Sequence, residues 1–138
     1  MTGLIVCLAV LAAATLYGIA HRRRDGRIRV RAKDAKERLT AADLGGPLGE
    51  RATLVQFSSA FCAPCRATRR VLGEVAGMVE GVRHVEIDAE ARLELVRRLN
   101  VLKTPTVLVL DADGAIVRRG AGQPRRADII AALGLAVG

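Results

Sequence analysis

Two cysteines three positions apart, Cys62-Ala63-Pro64-Cys65, fall where an apolar run ending Leu54-Val55-Gln56-Phe57 gives way to a helical pattern. No other feature of the chain constrains its fold as much. A thiol at the first turn of a helix meets unsatisfied backbone N–H groups and the positive end of the helix dipole, and both favour its thiolate. A second thiol three positions on shares that helical face and can attack a mixed disulfide formed by the first. The spacing predicts a strand running into a helix, with a pair able to cycle between dithiol and disulfide at the helix mouth.

The pattern on either side supplies the other elements. Thr40 before Ala41-Ala42-Asp43-Leu44 reads as an N-cap and short helix closed by Gly45-Gly46, with Pro47 beyond. Thr53 to Ser58 is a nearly continuous apolar strand, as expected of a central strand covered on both faces. From Ala63 to about Met78 the apolar positions Val71, Leu72, Val75, Ala76 and Val79 recur at helical spacing. Val82 to Asp88 reads as a second strand and Glu90 to Leu99 as a helix. Thr106 to Leu110 and Ala115 to Arg119 form a hairpin across the turn Asp111-Ala112-Asp113-Gly114, and Pro124 to Leu133 is the last helix. A further strand from Ile28 and Val30 is only weakly signalled. This succession predicts an α/β fold, a mixed sheet of about four strands flanked by helices.

Ahead of it, Leu4 to Ala20 carries no charge, and as a helix spans about 26 Å at 1.5 Å per residue, close to the hydrocarbon thickness of a bilayer. A transmembrane helix is the leading reading. The rival is a cleaved signal peptide, for which Ala12-Ala13-Ala14 mimics a cleavage site, but the apolar character continues through Leu16, Tyr17 and Ile19 to the basic stop at His21-Arg22-Arg23-Arg24. Cys7 lacks the basic leader of a lipoprotein and reads as packing within that helix. The expected organisation is a membrane anchor over 1–20, a basic juxtamembrane segment over 21–39 and a folded domain over 40–138.

Of the formal charge of +8, most lies between His21 and Arg38, leaving the domain nearly balanced. Such a segment can adhere to anionic headgroups, at about 1 kcal/mol per basic residue near the surface. Its position after the apolar stretch favours a single-pass protein of the cell membrane with a cytoplasmic domain, the extracytoplasmic face being the alternative. Nucleic acid is not an expected partner, because the chain's only aromatics are Tyr17, Phe57 and Phe61 and no basic stripe interleaves with them. A metal site is not expected: the cysteine pair supplies two ligands and His21 is remote. Covalent haem would need a histidine where Arg66 stands. No cofactor is called for.

Three stretches together, Phe61-Cys62-Ala63-Pro64-Cys65-Arg66, then Thr104-Pro105-Thr106 before the third strand, and Gly122 after the hairpin, resemble the thioredoxin family over roughly residues 53–133. The resemblance implies that Cys62 is the attacking thiol, that Cys65 resolves the mixed disulfide, and that Pro105 forms a cis peptide bond which, with Thr104, shapes the docking surface. It makes Phe61, Ala63 and Pro64 supporting residues of the site. It also exposes departures. Phe61 stands where the family commonly has tryptophan, Ala63 where its most reducing members have glycine, and Gln56 where thioredoxins carry a buried carboxylate. His84 takes the place of a lysine on the neighbouring strand, which makes it a candidate proton relay. The implied function is a membrane-tethered thiol–disulfide oxidoreductase acting on protein disulfides and recharged by an electron donor the sequence does not name. The alternative is an anchored binding module without redox turnover.

Overall fold

A computed structural model describes residues 1–24, 26–29 and 37–137. The chain forms helix α1 (Thr2–Arg24), α2 (Ala41–Leu44), strand β1 (Ala52–Ser58), α3 (Ala63–Met78), β2 (Val82–Asp88), α4 (Leu93–Arg98), β3 (Thr106–Asp111), β4 (Ile116–Ala121) and α5 (Arg126–Val137). The strands make one four-stranded sheet in the order β2-β1-β3-β4. β1 runs parallel to β2 and antiparallel to β3, and β3 is antiparallel to β4. This is the mixed, helix-flanked sheet that the sequence predicts.

β1 is central, and all seven of its residues are buried, so its two faces feed two separate cores. Leu54, with Val107 and Val109 of β3, packs against Leu72 and Val75 of α3 and Ile129 and Leu133 of α5. On the opposite face Val55 and Phe57 pack with Ile87, Leu108, Leu110, Leu44 of α2, and Leu95 and Leu99 around α4. Burying one such side chain contributes about 1.5–3 kcal/mol. The continuous apolar run is thus the signature of a strand with no solvent face, and it fixes Phe57 and Gln56 on opposite sides of the sheet.

α2 is too short to hold itself, and its ends are tied from outside. The Thr40 side chain accepts from Asp43 N, Asp43 Oδ2 accepts from Thr40 N at 2.9 Å, and Gly45 closes the helix in the left-handed conformation. Arg98 of α4 reaches across to Asp43 with Nη1 and Nη2 at 3.1 and 3.0 Å. The Arg98 hydrogen bonds, joined by the Thr40 N–H, hold the Asp43 carboxyl at about 2 against the opposing effect of burial. A carboxylate depressed in the folded state stabilises the fold above its unfolded value, near 3.9, and loses that contribution as pH falls toward 2. After allowance for solvent screening of this partly exposed pair, about 1 kcal/mol is at stake. Acid unfolding should therefore show Asp43→Asn less stable than the native chain at pH 6 and converging with it near pH 2.

Three expectations differ from the structure in detail. The helix expected from Glu90 begins at Leu93, because Asp88 turns the chain first: its Oδ1 takes Glu90 N at 2.9 Å and its carbonyl takes Ala91 N at 3.2 Å. The last helix begins after Pro124, at Arg126, and continues to Val137. The weakly signalled N-terminal strand reduces, among the described residues, to isolated bridges pairing Arg29 with Arg119 and Arg38 with Ala115; Val30 lies outside the described residues. Leu39 is nonetheless buried in the second core.

α1 has no buried residue. Its 18-residue window of mean hydropathy 2.3 is long and apolar enough to cross a membrane, a test that signal sequences also pass.

Candidate active site

The end of β1 delivers the chain to the mouth of α3 through Ser59, Ala60 and Phe61. Phe61 adopts the left-handed conformation, φ 58°, which costs a residue with a side chain about 1–2 kcal/mol. The turn holds its ring in full solvent. Cys62 is the N-cap of α3, and Pro64 in the first turn has no N–H to leave unsatisfied. Cys62 Sγ accepts from Cys65 N at 3.2 Å. A helix N-terminus thus points a backbone donor at the sulfur, the arrangement that stabilises a thiolate. Cys62 is half-buried and Cys65 fully buried. The two are joined as a disulfide, with Cα atoms 5.2 Å apart.

Opposite them lies the loop entering β3. The Thr104–Pro105 peptide bond is cis, and Pro105 O accepts from Gly122 N at 2.7 Å after β4. A groove of about 540 Å³ runs between Pro64 on the helix and Thr104, Pro105 and Gly122. The hydroxyls of Ser59 and Thr104 hydrogen bond at 2.7 Å, tying the cysteine loop to the proline loop. Sequence reasoning missed Ser59. Its only signal is a hydroxyl between the strand and the CxxC, and its partner is 45 positions away.

Behind Cys65, the buried Gln56 is fully engaged. Its Nε2 donates to Cys65 O at 2.8 Å and to Ser58 Oγ at 2.9 Å, and its Oε1 meets His84 Nε2 at 3.2 Å. An amide oxygen only accepts, so His84 presents Nε2–H to it and keeps Nδ1 as its basic atom. Burial holds His84 below the ordinary histidine value; neighbouring Glu86 opposes this and Arg69 reinforces it. Ser58 Oγ continues the chain to Glu86 Oε2 at 3.3 Å, where Arg69 Nε donates at 2.6 Å. Gln56 and His84 are thus brought together, with the amide between the imidazole and the Cys65 carbonyl. Ser58 and Glu86 complete a network that no local pattern announced.

The thioredoxin family model matches residues 46–134. The chain belongs to the thioredoxin family. A thioredoxin of Mycolicibacterium smegmatis is 32% identical over 80 residues, covering 56% of this chain and 70% of that protein. Human thioredoxin domain-containing protein 2 is 36% identical over 58 residues, 42% of this chain but only 10% of that much longer protein. Among solved structures, chloroplastic thioredoxin z superposes with a TM-score of 0.56 at 26% identity, covering 63% of this chain and 79% of that one. A thioredoxin mutant from Halobacterium salinarum does so with 0.59 at 19% identity, over 64% and 77% of the two chains, which speaks to the fold alone. Membership of the thioredoxin family, together with the adjacent cysteine pair at bonding distance, supports thiol–disulfide oxidoreductase chemistry.

Proposed function

We propose that this thioredoxin-family chain reduces or exchanges protein disulfides from a membrane surface, with Cys62 attacking and Cys65 resolving. The observation that carries the reading is the bonded pair at the mouth of α3, the more exposed sulfur capped by a backbone N–H and the buried one behind it. From the dithiol form, the Cys62 thiolate attacks one sulfur of a client disulfide, and the other client sulfur leaves as a thiolate that takes up a proton. Cys65, once deprotonated, attacks Cys62 Sγ. The second client thiolate departs, the Cys62–Cys65 disulfide forms, and the client has gained two electrons and two protons. An external donor must then return the electrons.

Phe61, Ala63 and Pro64 form the client-facing side of the helix mouth, and Thr104 and Pro105 form the opposite wall. Tethering through residues 4–20 is supported by the length and apolar character of α1, and a cytoplasmic domain by the basic residues that follow it. The division into an anchor over 1–20, a basic segment over 21–39 and a redox domain over 40–138 belongs to the same reading. Reduction of insulin by the full chain in detergent tests the activity, and binding without turnover would favour the anchored binding module instead. Labelling Cys62 in intact cells with a membrane-impermeant thiol reagent tests sidedness: reactivity from outside overturns the cytoplasmic placement.

His84 is the remaining proposed participant, as a proton relay that takes up the proton on Nδ1, its Nε2–H being held by the Gln56 amide oxygen, which passes no proton on. With its ionisation lowered by burial, the role requires a limb in the pH–rate profile of client reduction below neutral pH, where the rate falls as the imidazole protonates. His84→Gln should remove that limb and slow reduction by roughly tenfold or more at neutral pH. An unchanged profile removes the role.

A further inference from the structure

The groove beside the cysteine pair is also lined by Arg22, which precedes the family-matched span of residues 46–134. Two residues after α1 ends, Gly26 N donates to Ala121 O at 2.6 Å, and Arg29 and Arg119 exchange backbone hydrogen bonds at 2.5 and 2.7 Å. Gly26 is buried with φ +79°, and a Cβ there would fall 2.1 Å from Gln123 O. No other residue fits so close an approach without moving the loop. The chain leaving α1 is therefore pressed against the loop after β4, and this carries Arg22 onto the rim of the groove. Arg22, Lys103 and Arg125 line it together with Pro64, Thr104 and Pro105, and no carboxylate is among the described residues that do so. Arg125 gives its Nε to Asp128 at 3.1 Å, which leaves the other donors of its five-donor guanidinium. Arg66, directly after Cys65, adds an exposed cation on the helix side.

We propose that this groove selects client disulfides set in acidic sequence, with Arg22, Lys103 and Arg125 as its specificity-determining cations. The inference rests on the exchange reading above. An extended client segment lying between Pro64 and Pro105 passes these three cations. Carboxylates flanking the client cysteine lower the encounter barrier, and basic flanks raise it. Arg22 belongs to the segment before the domain, so a chain lacking α1 loses part of the selectivity while keeping its cysteines.

The test is single-turnover oxidation of the full chain in its dithiol form, in zwitterionic detergent, by two disulfide peptides identical except for Glu or Lys flanks. The neutral hydroxyethyl disulfide serves as a third oxidant. The acidic peptide should react about tenfold faster than the basic one at low ionic strength, the ratio shrinking as salt screens the rim. Arg22→Glu with Arg125→Glu should reverse the preference. Gly26→Val, which alters no charge, should reduce it by displacing α1 from the loop. Failure to react with hydroxyethyl disulfide would sink the exchange reading itself. Reaction with it but equal rates on the two peptides would overturn only the selectivity. The same comparison in phosphatidylglycerol nanodiscs separates the occupants: a preference abolished there means that headgroups hold these cations, and overturns the proposal.

Discussion

Replacing Cys62 by serine should bring disulfide reduction down to the uncatalysed background, a loss of at least roughly a thousandfold, since a hydroxyl is not appreciably ionised at neutral pH and cannot be the exchanging sulfur. Cys65→Ser should behave differently although it also ends turnover. Cys62 keeps its place as the cap of α3, but the backbone N–H that meets its sulfur now belongs to a serine, and a backbone donor survives that exchange. The variant should therefore still attack and then stall, because nothing remains to expel the second client thiol. Insulin reduction measured by turbidity should be lost in both. Non-reducing electrophoresis should show a client adduct with Cys65→Ser and none with Cys62→Ser. An adduct with Cys62→Ser and none with Cys65→Ser would reverse the assignment of attacking and resolving sulfurs, and adducts formed equally by both would remove it. Turnover retained by either would remove the two-thiol cycle.

The sequence already leads to this expectation, because it depends on a strand–helix junction and a three-residue spacing. The bounds of α3 and β2 were equally clear, since one has a continuous apolar stripe and the other is set off by glycine. What escaped was written in side chains that act at a distance. The start of α4 depends on Asp88 turning the chain first, its carboxylate taking Glu90 N and its backbone carbonyl taking Ala91 N. The pairing of Gly26 and Arg29 with β4 is made by backbone atoms, and in a short basic stretch Ile28 and Val30 give only a weak alternation that does not name the partner strand. The Ser59–Thr104 bond joins positions far apart in sequence, and two hydroxyls have no periodicity. Gln56 stood out through the family resemblance alone, as an amide in place of a carboxylate. A polar residue in an otherwise apolar central strand must have partners, although the sequence alone did not say that they include the Cys65 carbonyl.

Those partners make Gln56→Glu the most informative change behind the cysteines. The substitution preserves shape and replaces the Nε2 donor with an oxygen. That oxygen would face Cys65 O, an acceptor which then loses its hydrogen bond. At a site with no solvent exposure, an ionised carboxylate is penalised by desolvation and by the opposing carbonyl, whereas the protonated acid can still donate to that carbonyl. Both effects raise the introduced group above the unfolded value near 4.3, by roughly 2–4 units at a fully buried site. The folded state then holds a proton that the unfolded state has released, so stability falls as pH rises from about 4 to the raised value and levels off beyond it. At about 1.4 kcal/mol per unit, the variant should be roughly 3–5 kcal/mol less stable than the native chain at pH 8 and much closer to it at pH 5. His84 acts in the other direction: its Nε2–H, at hydrogen-bonding distance from the side chain, would favour the anion. Its own charged form is disfavoured by burial, so it supplies a dipole and not a full counter-charge at neutral pH. Urea unfolding of the full chain in detergent at the two pH values, followed by far-ultraviolet circular dichroism, measures the difference. A variant equally stable at pH 5 and pH 8 relative to the native chain would mean that water or a counter-charge reaches the site, and that the amide behind Cys65 is not confined to a neutral role.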